Sequence, residues 1–232
     1  MLRFKVSPIL RPNSPSPIFR DNLRQQPQCS GMSLVELLVV LAMIGFIVAA
    51  ALPQLIASQR LLRSAAIPRQ VLAEMRLARQ QAMTERKAFT VQYDDVNKQL
   101  IVIKHPSSGT ALLADPNYPL TAGSLRERVV SLADSGINPA EIIYGLPPGL
   151  PATARGSLDD GVTMTSLANR QLNVTFQPNG SVVDVTGNPT NKALYLYNSA
   201  APKDTACAIS ILGAAGRVKT WNYGSSARKY VE

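Results

Sequence analysis

One histidine, one tryptophan and two cysteines are all that the 232 residues hold of the scarcer chemical side chains. With imidazole limited to His105 and thiols to Cys29 and Cys207, no metal-ligand spacing and no disulfide framework can be read. No P-loop and no nucleophile elbow occurs either. The sequence therefore reads as a non-enzyme for which no cofactor and no metal is expected. His105, before Pro106 at a strand end, is expected to be a surface turn residue. Asp159 and Asp160 beside Gly161 lack the spaced oxygen partners of a calcium loop and are read as turn residues. Acids are also scarce: 15 Asp and Glu stand against 24 Lys and Arg, for a net charge of +9. Residues 1–31 carry Arg3, Lys5, Arg11, Arg20 and Arg24 against Asp21, leaving +5 for the remainder. That excess suits DNA or lipid headgroups without selecting either.

Charge is absent altogether from Leu37 to Gln59. At 1.5 Å per residue, a helix of that length crosses the roughly 30 Å core of a bilayer. Just before it stand Gly31, Met32, Ser33, Leu34, Val35 and Glu36, so a lone carboxylate sits at the mouth of a hydrophobic helix. An acid there costs about 2.5–3.5 kcal/mol even on lenient insertion scales, which makes Glu36 a functional candidate. A secretory signal peptide cut near Ala49-Ala50-Ala51, on a periplasmic enzyme or binding module, is the distant rival. Glu36 within the apolar run and the remoteness of Arg24 count against it. A plain anchor explains the length but neither Gly31 nor Glu36. Arg20 and Arg24 at one end balance Arg60, Arg63 and Arg69 at the other, so charge alone does not set the orientation.

From residue 60 to about 87 the helix continues in amphipathic form. Val71, Met75, Ala78 and Ala82 recur on one side, while Glu74, Gln81 and Glu85 mark the wetter one. Pro53 and Pro68 each remove a backbone donor and should kink or loosen it. Strands follow over residues 88–232. Ala88–Tyr93 and Gln99–Lys104 read as a hairpin around Asp94-Asp95-Val96-Asn97. Gln171–Phe176, the Pro178-Asn179-Gly180 turn and Ser181–Val185 read as a second hairpin. Ala193–Tyr197, Ala206–Leu212 and Val218–Tyr223 add three strands. Residues 106–161 hold seven prolines and read as a loop, with candidate strands at Arg126–Leu132 and Glu141–Tyr144.

The polar leader, Gly31, Glu36 and the apolar helix together resemble the N-terminal signal of type IV prepilins and pseudopilins. Leu172 to Gly180 and the Gly213-Ala214-Ala215-Gly216-Arg217-Val218-Lys219 element resemble the head of the GspH/FimT family. The resemblance implies an α+β, pilin-like fold, a long N-terminal helix packed on an antiparallel β-sheet head. It implies a leader over residues 1–31 removed by prepilin peptidase between Gly31 and Met32, with N-methylation of Met32. Residues 32–59 become the transmembrane and filament-core half of the helix, with the head in the periplasm and the anchor in the inner membrane. Glu36 is then expected to pair with the N-terminal amine of a neighbouring pilin or pseudopilin. Pro53, 21 residues after Met32, marks a segment able to unwind during assembly. Cleavage removes Cys29, so Cys207 is read as a small core residue. The implied role is a minor pseudopilin of a type II secretion pseudopilus or a type IV pilus. The alternative is a FimT-like minor pilin that binds DNA for uptake through Arg217 and Lys219, two apart on a strand and on one face, with Arg170, Arg228 and Lys229 extending the patch. Lys219 stands where that family's element has a second arginine, keeping the charge and losing the planar fork.

Overall fold

Residues 33–232 are described by the computed structural model, and they fall into two compact units divided after Val48. The leader and the junction residues Gly31 and Met32 lie outside the described residues. Helix α1 spans Leu34–Ser64 and α2 spans Ala66–Glu85. Ser33 opens α1 by accepting the Leu37 N–H at 3.1 Å. Pro53 lies inside α1 without ending it. The break falls at Ala65, three residues before Pro68. Pro68 has no N–H for the Ser64 carbonyl and its ring crowds that oxygen. Placed in the first turn of a new helix, the same proline removes nothing the helix needs. Ala65 keeps φ −68° and ψ −15°, so the joint stays near helical backbone. Around it, Arg63 Nη1 donates to the Gly136 carbonyl at 3.1 Å and Asn198 Nδ2 to Ser64 Oγ at 3.3 Å.

Among the described residues, nine strands make two antiparallel sheets. The first runs β3-β2-β1-β5, from β1 (Phe89–Asp94), β2 (Gln99–Lys104), β3 (Leu125–Ser131) and β5 (Gln171–Phe176). The second runs β4-β6-β7-β8-β9, from β4 (Ile142–Tyr144), β6 (Lys192–Asn198), β7 (Cys207–Leu212), β8 (Arg217–Gly224) and β9 (Lys229–Val231). Helix α2 lays Ile67, Val71, Met75, Ala78 and Ala82 against both sheets, and the last four are fully buried. Its flanks are tied by ion pairs, Glu74 with Arg128 on β3 at 2.6 Å and Glu85 with Lys104 on β2. Strand alternation divides the second sheet between two cores. Leu194, Leu196, Cys207, Ile209 and Ile211 face α2, whereas Ala193, Tyr195, Ala208 and Trp221 face the opposite way. Cys207 is a core residue as expected, its thiol donating to the Leu196 carbonyl and pushed up to about 12 by burial.

The candidate strands of the proline-rich stretch are present as β3 and β4, and Leu150, Ala154, Leu158 and Val162 cover the second sheet's outer face. Two expectations are corrected. Ser181–Val185 is not a strand. Val182 turns away and donates to the Gly213 carbonyl at 2.8 Å, while Asp184 caps its own turn through the Thr186 and Asn188 N–H groups. Only isolated bridges remain, Phe176 with Val182 and Val183 with Pro189. His105 is not on the surface but 1% exposed. The chain after Pro106 folds back over it, so that Nδ1 meets Ser124 Oγ at 2.8 Å and Nε2 meets Thr90 Oγ1 at 2.7 Å. Thr90 in turn meets Thr175 at 2.6 Å, and Tyr118 meets Thr175 at 2.5 Å. Burial lowers the imidazole pKa from 6.5 to about 4. Strand β9 had no counterpart in the sequence reading, since three residues carry no measurable period.

Candidate functional site

The first candidate site is the start of α1. Glu36 lies in its first turn, three residues after Ser33, where a carboxylate complements the helix dipole. Ser-x-x-Glu is also the spacing of a capping box, a local signal of the helix start at Ser33. Every residue from Ser33 to Ile56 is exposed, including Leu34 and Phe46 at 78% each. Nothing among the described residues covers those side chains. Among the described residues one helical stretch is long and apolar enough to cross a membrane, by length and composition, and this is it. Pro53 lies further along the same helix. Its missing N–H leaves the Ala49 carbonyl without a helical donor.

The glycine-arginine element is the second candidate. Leu212 pairs with Arg217, so Gly213 to Gly216 form the turn between β7 and β8. Gly216 has φ +57°, and a Cβ there would stand 1.7 Å from the Gly180 carbonyl oxygen. A Cβ on Gly213 would stand 2.3 Å from the Thr190 carbonyl oxygen. These glycines thus admit the chain's own turns, which explains both without any ligand. Arg79 of α2 completes the junction: Nε donates to the Gly180 carbonyl at 3.2 Å and Nη2 to the Ala215 carbonyl at 2.8 Å. Sequence reading missed Arg79, because the carbonyls it holds lie 101 and 136 residues away.

Arg217 and Lys219 do share a face. They line one hollow with Trp221, but Asp159, Asp160 and Glu232 line it too. Lys219 is paired with Glu232 and sits 5.1 Å from the Trp221 ring centre. Lys229 is paired with Asp159 at 2.9 Å. Arg170 is paired with Asp95 at 2.9 Å, on the first sheet's side, and Arg228 lines a different hollow with Lys203. The five cations therefore do not form one patch. Asp160 serves its turn and the core, accepting from the Val162 N–H at 3.2 Å and from Ser210 Oγ at 2.5 Å. Among the described residues no three of His, Cys, Asp and Glu gather as they would around a metal ion.

Comparison with known proteins adds one local match. Residues 27–52 match the model of the prokaryotic N-terminal methylation motif. No curated protein matches the chain. Two crystal structures of the type IV minor pilin FimU of Pseudomonas aeruginosa strain PAO1 align with it. One is 18% identical, covering 72% of this chain and 92% of that one, with a TM-score of 0.40. The other is 17% identical, covering 72% and 97%, with a TM-score of 0.39.

Proposed function

We propose that this chain, which carries the prokaryotic N-terminal methylation motif at the head of an exposed apolar helix, is a minor pilin-like subunit of the GspH/FimT kind. It is a structural component of a type II secretion pseudopilus or a type IV pilus rather than a catalyst. Prepilin peptidase removes residues 1–31 and methylates Met32. The subunit waits in the inner membrane with its head in the periplasm, and enters a filament through α1. One observation carries the reading: the motif runs directly into side chains that the described residues leave bare. Lipid covers them before assembly, and neighbouring helices cover them afterwards. Glu36 fits that transfer, because a carboxylate moved from the membrane surface into a helix bundle needs a cationic partner. The new N-terminal amine of a neighbouring subunit supplies one.

Mass spectrometry of the mature N-terminus tests the reading. A chain beginning with N-methylated Met32 is the expected result, and Gly31→Leu should leave the uncut precursor. A terminus near Leu52 would mean an ordinary signal peptide instead. The DNA-uptake alternative draws on Arg217 and Lys219, and the carboxylates beside them weigh against a duplex at that spot.

A further inference from the structure

Between α2 and the β7–β8 turn lies a groove of about 610 Å³, lined by Arg76, Arg79, Gln80 and Met83 on one side and Arg217 and Val218 on the other. Among the described residues, none that lines it carries a carboxylate. The acids of α2 are committed elsewhere, Glu74 to Arg128 and Glu85 to Lys104. Arg79 is spent on the Gly180 and Ala215 carbonyls. Arg76 and Arg217 are exposed and, among the described residues, take part in no ion pair. Two uncommitted guanidinium forks across one groove match the planar geometry of a carboxylate. Met83 and Val218 give an apolar wall beside them.

The surroundings decide between a compact anion and a polyanion. Nucleic acid follows a continuous track of free cations. Past Arg217 the surface enters the hollow that holds Asp159, Asp160 and Glu232, where Lys219 is already neutralised. A phosphate chain leaving the groove on that side would run into carboxylates. A single acidic side chain would not.

We propose that this groove receives an acidic side chain, flanked by an apolar one, from a neighbouring filament subunit, with its carboxylate held between Arg76 and Arg217. The assignment rests on the reading of the chain as an assembling subunit. Its test uses the full-length protein in a neutral detergent and a fluorescent, end-capped peptide of alternating Leu and Glu, followed by anisotropy. Saturable binding is expected, absent for the same peptide with Gln in place of Glu. Arg76→Gln and Arg217→Gln should each weaken it about tenfold or more, as loss of a charge-assisted pair does. Lys219→Gln should leave it unchanged, since Glu232 already engages that cation. The assignment is overturned if the peptide does not bind, or if it binds the two arginine variants equally well. It is also overturned if a labelled DNA duplex binds more tightly than the peptide and loses that binding in both variants, which would make the groove a nucleic-acid site. Methylated Met32 with no peptide binding would remove the groove assignment and leave the subunit reading intact.

Discussion

Apolar side chains on α1 and on α2 meet opposite fates. Met43 on α1 is 65% exposed, whereas Met75 on α2 is fully buried between two sheets. Both helices are rich in residues that avoid water, yet only α2 arranges them in a stripe with charge on its flanks. A stripe can be satisfied by one side of a sheet pair, and the ion pairs at Glu74 and Glu85 then fix the helix laterally. A helix apolar all round has no such solution within its own chain and must find lipid or other helices. The contrast therefore separates what stabilises the head from what would drive the proposed assembly.

Matched truncations would break that separation if it is wrong. Met75→Ala should cost the head about 3–4 kcal/mol in chemical denaturation, as large-to-small core changes do. Met43→Ala, measured in the same detergent, should leave the midpoint unmoved and instead reduce recovery of the chain in filaments. Equal losses in both variants would mean that α1 contributes to the folded head. A smaller effect concerns the first sheet. His105 is neutral when folded, with its pKa lowered from 6.5 to about 4, so the unfolded chain binds more protons between those values. Stability present above about pH 6.5 is thus lost as pH falls toward 4. The loss should amount to about 3 kcal/mol, and His105→Gln should flatten that part of the pH profile while Met43→Ala should not.

Local patterns were the legible part of this chain. The buried face Val71, Met75, Ala78 and Ala82 follows from helical spacing, and β1, β2 and β5 follow from alternation next to turn residues. The place of Glu36 in the first turn of α1 was legible from its immediate neighbours. His105 was not, since the loop that buries it adopts its path through contacts with Thr90, Thr175 and Tyr118 rather than through any period of its own. Ser181–Val185 is valine-rich like a strand, but the Gly213 carbonyl captures the Val182 N–H and only isolated bridges form. The groove at Arg76 and Arg217 was illegible for a similar reason. Its two walls lie far apart in sequence, and neither wall alone shows that its charge goes unanswered.

Strand β7 has neighbours on both edges and cores on both faces: β6 and β8 flank it, α2 lies over one side, and the segment around Leu158 closes the other. Solvent therefore reaches its amides only when the sheet opens as a whole. Hydrogen–deuterium exchange at Ala208 to Ile211 should be the slowest in the chain and report the global unfolding free energy. The joint at Ala65, itself exposed and tied by the exposed Arg63–Gly136 bond and the buried Asn198–Ser64 one, should exchange through local fluctuations before that.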